Sequence, residues 1–156
     1  MKITINKKAL CVFLLIVLVW CIFAVLRQEH MMESLPVAQA LYSLLKPYKF
    51  DGVEYLEAPT NCIRLFRYEN QENQSWLEKR TVAVIELPEI ARDAKNYFHD
   101  MRTLRGGLFL ATRFTWNTEW SGLYIAESID SEVAVYGDEI LMDNIYFLNT
   151  VPSFFS

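Results

Sequence analysis

Residues 9–26 read ALCVFLLIVLVWCIFAVL, a run without a charged side chain. Wound into an α-helix at about 1.5 Å per residue, the run is about 27 Å long, close to the ~30 Å hydrocarbon core of a bilayer. A helix satisfies its own backbone hydrogen bonds, which lipid cannot do for it. The run therefore predicts a transmembrane segment.

Basic side chains flank this segment and set its expected orientation. They are Lys2, Lys7, Lys8 and Arg27. Positive charge concentrates on the cytoplasmic side of membrane segments, and here most of it precedes the run. We therefore expect a cytoplasmic basic region over residues 1–8 and an uncleaved signal anchor over residues 9–27. The anchor would lie in the inner (cytoplasmic) membrane, with the C-terminal part periplasmic or extracellular.

Three other interpretations of the run stay open. A core helix that is apolar on all sides needs more surrounding protein than 156 residues provide. A signal peptide has an apolar region of ~7–15 residues that ends in small side chains. This run is longer, and its one tolerable cleavage site, after Ala24, follows the bulky Ile22 and Phe23. A lipid anchor at Cys21 is disfavoured because Trp20 stands where a small residue is needed.

Composition limits what the rest of the chain can be. The chain is 53% hydrophobic, with 5 Gly, 5 Pro and 3 Cys, which excludes a disordered, a collagen-like and a disulfide-scaffold protein. The net charge is −4, and residues 1–27 hold four bases and no acid, so residues 28–156 carry −4 − 4 = −8. An acidic domain lacks the basic face that nucleic acids require. It is suited to a basic partner, although added solubility explains the same charge.

Two helices are predicted beyond a short juxtamembrane connector at residues 28–35. The first spans residues 36–46, with Ser34 as its cap and Pro47 as its stop. Its predicted buried face contains Val37, Leu41, Leu44 and Leu45. The second spans residues 88–104 and has an apolar face built on helical spacing, and Gly106-Gly107 is read as its C-cap.

Strand-forming residues fill most of the remaining chain. The predicted strands are 53–57, 62–68, 81–86, 108–116, 120–127 and 132–136, with 140–148 either a strand or a short helix. Residues 81–86, TVAVIE, are predicted to be a buried strand. The sum is one α+β domain over residues 36–156, with a mostly antiparallel sheet of about six strands and two helices.

The sequence lacks the usual catalytic and cofactor motifs: a G-x-S-x-G elbow, H-E-x-x-H, a phosphate-binding glycine loop and paired C-x-x-C. His99 is predicted to be exposed on the polar face of the second helix, and Cys62 cannot form a disulfide within the exported domain because it has no cysteine partner there. We expect no cofactor and no metal site.

The acidic residues of the last third are Glu127, Asp130, Glu132, Asp138, Glu139 and Asp143. They leave open an exported hydrolase that uses two of these carboxylates.

The best-supported expectation is a non-enzymatic domain that binds another exported or membrane protein, with the bilayer holding residues 9–26. An envelope assembly factor or an inhibitor of an exported toxin needs placement and a surface but no reactive group. Trp76, at the end of a polar loop, and Trp120, beside a turn, are candidate contact residues because tryptophan dominates binding hot spots. Asp138 and Glu139, at a predicted hairpin tip, are the acidic candidates. The alternative for Trp120 is a pairing with Trp116 inside the domain.

Overall fold

A computed structural model describes residues 7–57, 61–70, 77–104, 106–112, 121–127, 139–142 and 144–148. The chain divides into two compact units, Met1–Glu33 and Ser34–Ser156. The second unit contains the sheets and is the part predicted to be exported.

One long helix, α1 (Lys7–Leu45), begins the described chain. The predicted connector at 28–35 is helical. Ser34 lies inside this helix rather than capping a new one, so its predicted role as a cap is wrong. The physical reason is that residues 27–33, RQEHMME, are mostly good helix formers with no Gly or Pro among them. Pro36 removes one backbone hydrogen bond, a cost of about 3 kcal/mol that burial of the following helical face offsets.

The part of α1 that carries the apolar run is exposed throughout residues 8–26. Trp20, for example, leaves 70% of its surface uncovered. This is one helix that is long and apolar enough to cross a membrane. Its position near the N-terminus is compatible with a single-pass anchor or with a signal sequence.

The predicted strands 53–57, 62–68 and 81–86 form a three-stranded antiparallel sheet. The strands are β1 (Gly52–Tyr55), β2 (Cys62–Asn70) and β3 (Leu77–Glu86), in that spatial order. Asn61, just before β2, has a φ of 65°, which asparagine tolerates in a turn. The strand prediction for TVAVIE is confirmed, but its predicted burial is wrong. Val82 and Val84 are 41% and 55% exposed because one side of this three-stranded sheet faces solvent.

The predicted helix over residues 88–104 is wrong. This segment forms a 3₁₀ turn (Glu89–Ala91), one helical turn α2 (Ala94–Tyr97) and then strand β4 (Phe98–Leu104). The helical spacing has a specific origin, since a bulge between Phe98 and Asp100 adds one residue to β4. Phe98 and Met101, three apart as on a helix, consequently face the same side of the strand. Gly106, with a φ of 72°, is a hairpin residue rather than a helix cap.

A second antiparallel sheet has five strands among the described residues. β4 is followed by β5 (Gly107–Thr112), β6 (Gly122–Ala126), β7 (Glu139–Met142) and β8 (Ile145–Leu148), in the spatial order β4-β5-β6-β8-β7. The ambiguous stretch 140–148 is thus two strands. The predicted strand 132–136, the end of the predicted strand 108–116 and the predicted turn at Gly137-Asp138 lie outside the described residues.

The core of the domain surrounds this second sheet. Strands β6 and β8 are buried at every position, so both of their faces are covered. One face holds Leu104, Phe109, Ala111, Tyr124, Ala126, Tyr146 and Leu148. Toward its C-terminal end α1 buries Leu35, Ala38, Leu41 and Leu45, and Gln39 Nε2 donates to Met142 Sδ over 3.5 Å. The α+β class is confirmed, with two antiparallel sheets.

Candidate partner-binding surface

The contact residues predicted from the sequence fall where the structure gives no placement. Trp76, Trp120 and Asp138 lie outside the described residues, and Glu139 begins β7 with a side chain that is outside the description. They stay predictions. The described residues offer a different surface, on the three-stranded sheet.

We call this surface the outer face: Glu54, Arg64, Phe66, Tyr68, Lys79, Val82 and Val84. The pairing register puts Glu54 opposite Arg64, Arg64 opposite Val84 and Tyr68 opposite Lys79. Opposed residues of an antiparallel pair share a side of the sheet. The other side carries Ile63 and Leu65, both fully buried. The sheet therefore has one side in the core and one side available for contact.

Phe66 forms the centre of the outer face and is only 8% exposed. Its ring lies on Gly52, where a Cβ atom would come within 2.5 Å of the ring. The Tyr68 ring meets it edge-on, with centroids 5.4 Å apart, and Lys79 Nζ lies 4.3 Å from its centroid. Because Gly52 has no side chain, the Phe66 ring can lie directly on its backbone, and Tyr68 and Lys79 hold the ring in place.

Glu54 connects this centre to its charged surroundings. Lys79 Nζ donates a 2.6 Å hydrogen bond to Glu54 Oε1, and Arg64 Nη1 lies 3.5 Å from Oε2. The hydrogen bond from Lys79, with the charges of Lys79 and Arg64, lowers the pKa of Glu54 although partial burial opposes the shift. The same hydrogen bond raises the pKa of Lys79. Because the three side chains are well exposed, these ion pairs contribute little to the stability of the fold. Their main effect is to fix the orientation of the three side chains on the surface.

Apolar side chains lie uncovered beside this charged group. Tyr68, Val82 and Val84 are 45%, 41% and 55% exposed. Val82 is the extra residue of a β3 bulge, where the register moves between Leu65 and Phe66. Sequence reasoning missed these residues because hydrophobicity in TVAVIE signals burial without saying what provides it. One signal in the sequence pointed to these residues. Ala83 is a small side chain between two valines, so the two sides of the strand differ in how much apolar surface they carry.

A separate cleft of about 280 Å³ opens next to β1 and β2. Its lining includes Glu57, Cys62, Arg92 and Lys95. Cys62 is a free, half-buried thiol. The described lining offers one carboxylate and two cations without a histidine, so it does not assemble a nucleophile with a base and an orienting acid.

Other reactive groups do not come together among the described residues. His99 lies on β4 at the bulge rather than on a helix, and it is half-buried instead of exposed, with a buried Nδ1 that has no hydrogen-bond partner. Of the late acidic residues only Glu127 has a described side chain, and it is exposed. Within the same described ranges, no three His, Cys, Asp or Glu residues are grouped to hold a metal ion.

Comparison with protein-family models, with curated proteins and with solved structures finds no match to this chain. Functional inference therefore rests on the residues and the geometry.

Proposed function

We propose that this protein is a single-pass, membrane-anchored binding module without catalytic activity. Its acidic exported domain contacts another exported or membrane protein through the outer face. The observation that carries the proposal is the exposed apolar group Tyr68, Val82 and Val84 beside the ion-paired Glu54, Arg64 and Lys79.

This combination is typical of binding surfaces. Protein interfaces place aromatic and aliphatic side chains at a central patch and surround them with charged residues. Tyrosine is a frequent hot spot because it has a large apolar ring, a polar end and few rotamers to lose. Phe66 and Gly52 fix the geometry beneath Tyr68 before a partner arrives, which lowers the entropy cost of binding.

The proposed location follows from the apolar helix and its flanking charges. The N-terminus lies in the cytoplasm, residues 9–26 cross the inner membrane, and the domain works in the periplasm or outside the cell. An envelope assembly factor or an inhibitor of an exported toxin fits this placement. The charge of −8 on residues 28–156 favours a partner with a basic surface.

The test compares two exposed apolar side chains on different parts of the domain. Tyr68→Ala changes the outer face, whereas Ile90→Ala changes a 54% exposed side chain on the 3₁₀ turn. Full-length protein is cross-linked in its native membrane, purified and analysed by quantitative mass spectrometry. We expect a partner whose recovery falls roughly tenfold with Tyr68→Ala, as for a hot spot of about 1.4 kcal/mol, and stays at the wild-type level with Ile90→Ala.

Two results would contradict the proposal. The first is no protein recovered with the wild type above background. The second is equal recovery with both variants, which would mean that Tyr68 does not contact the partner. Orientation is tested separately with a reporter fused after Ser156 that is active on only one side of the membrane. Activity on the cytoplasmic side would refute the proposed topology.

A further inference from the structure

The free edge of β3 is the least protected feature of the described domain. β3 is ten residues long and, among the described strands, pairs with β2 on one side only. Proteins protect such edges with charges, proline or bulges, because unpaired backbone groups recruit other strands. β3 has charges at its two ends, in residues 78–80 and at Glu86, but TVAVI between them has none. The middle of the edge is therefore open to another strand.

The sequence of this edge is complementary to itself. If two β3 strands pair antiparallel about Ala83, Val82 of each chain comes opposite Val84 of the other. The same alignment puts Arg80 opposite Glu86. If the bulge at Val82 is kept in the pairing, Thr81 and Val82 together lie opposite Val84, and Lys79 replaces Arg80 opposite Glu86, so a cation meets Glu86 in either case. Apolar pairs at the centre and opposite charges outside them stabilise antiparallel strands.

Neighbouring alignments are worse. Centring the pair on Val82 puts Glu78 opposite Glu86, and like charges at opposed positions are destabilising. Centring it on Val84 puts Val82 opposite Glu86, which pairs an apolar side chain with a carboxylate. Complementarity is thus specific to the alignment about Ala83.

We propose that the free edge of β3 pairs with β3 of a second copy of this chain, antiparallel about Ala83. This inference deepens the proposed function and rests on it for the membrane anchor, which holds the copies in one membrane and raises their effective concentration. The pairing would join two three-stranded sheets into one of six strands. The outer faces become continuous, with four valines at their junction and Tyr68 on each flank, so a partner would meet a surface twice as large.

The test uses cysteine cross-linking of full-length protein in native membranes. Cys11, Cys21 and Cys62 are first replaced by alanine, which leaves a background without thiols. Single cysteines are then introduced as Ala83→Cys, and as Ile90→Cys for the control away from the edge. After mild oxidation we expect a disulfide-linked dimer for Ala83→Cys at several times the yield of the control.

A second arm tests the register. Val82→Cys and Val84→Cys are expressed together at equal levels with different tags. The mixed dimer is expected to exceed either self-linked dimer by well over the factor of two that random pairing gives. A third arm introduces Val84→Lys, whose exposed position allows the fold to persist while the charge protects the edge. In that variant, we expect cross-linking at Ala83→Cys to fall to the control level, with wild-type circular dichroism.

Three results overturn the pairing: no excess at Ala83→Cys, a mixed dimer at no more than twice the yield of either self-linked dimer, or a disulfide to a different protein at this edge. The outcomes also separate this inference from the proposed function. Loss of cross-linking with Tyr68-dependent partner recovery intact refutes only the dimer. Cross-linking without a Tyr68-dependent partner refutes only the binding role.

Discussion

Gly122 provides the sharpest test of how the five-stranded sheet is aligned. It begins β6, opposite Ala111 of β5 and Leu148 of β8. A Cβ atom at this position would lie 2.1 Å from the Leu110 carbonyl oxygen and 2.8 Å from Ala111 Cα. Both are backbone atoms of a buried strand, so no side-chain rotation can relieve the contact. Gly122→Ala therefore forces β5 and β6 apart.

The expected cost follows from the size of this clash. Ordinary van der Waals contact begins at 3.4 Å, which leaves the new atom 1.3 Å too close to the Leu110 oxygen (3.4 − 2.1). Overpacking costs about 1–3 kcal/mol, and each backbone hydrogen bond lost in the separation adds about 1 kcal/mol. We expect Gly122→Ala to lower the free energy of unfolding by about 2–5 kcal/mol, much of what a typical domain has.

Gly52→Ala is the matched control, because its new Cβ also comes too close, at 2.5 Å, but to the Phe66 ring. The Phe66 ring is buried, but a side chain can shift by a few tenths of an ångström at lower cost than a strand backbone, and replacing glycine also reduces the entropy of the unfolded chain by about 0.4–1 kcal/mol. The net change should stay near 1 kcal/mol. Urea denaturation of full-length protein in detergent micelles, followed by tryptophan fluorescence, measures both. A Gly122→Ala midpoint equal to that of Gly52→Ala or of wild type would refute the register of β5 and β6.

Three further predictions address the helix and the titrating groups. Leu41→Ala in α1 removes a fully buried side chain and should cost about 2–5 kcal/mol in the same urea assay; a cost below 1 kcal/mol would remove Leu41 from the core. The lowered pKa of Glu54 contributes stability that is present above its ordinary value of 4.5 and lost as the pH falls through the lowered pKa. Urea midpoints of Glu54→Gln should therefore fall less steeply than wild type below pH 4.5, and parallel curves would contradict the pairing with Lys79. Burial, followed by the charge of Glu127, raises the pKa of Tyr42 above 10.0, so stability is lost as the pH rises beyond 10 toward that value. Tyr42→Phe should remove this alkaline loss, and an unchanged alkaline limb would refute the shift.

Local chemistry made several elements predictable. Helical spacing identified most of the buried face of α1, where Val37, Leu41 and Leu45 are buried. Leu44, also expected on that face, is only half-buried, and Gln39 and Ser43 are exposed. Strand-forming residues located β1 and β2. The extent of α1 was missed because Ser34 and Pro36 are start signals whose effect depends on the preceding residues. Where those residues already form a helix, a cap is not needed and Pro36 is tolerated.

β4 was missed for a tertiary reason. Its helical spacing comes from the bulge after Phe98, and a bulge depends on the partner strand, which a local pattern does not contain. Gly106-Gly107 is equally suited to a helix end and to a hairpin, so it could not show whether the preceding residues form a helix or a strand. Only the pairing of Met101 with Leu110 and of Arg102 with Phe109 makes the segment a strand.

The outer face shows the limit of hydrophobic pattern as a guide to function. TVAVIE was expected to be buried because apolar strand residues are usually removed from water. That expectation does not say whether the residues that cover them belong to the same chain or to another one. In the described fold the C-terminal part of α1 buries Leu41 and Leu45, and β6 and β8 are covered on both sides, whereas Val82 and Val84 are left half exposed. An apolar edge that the described residues do not cover has the composition of a core and the position of an interface. We assign the missing burial to a second copy at the edge of β3 and to a partner over Tyr68. Cross-linking at Ala83→Cys measures the first burial and partner recovery with Tyr68→Ala measures the second, so each is tested independently.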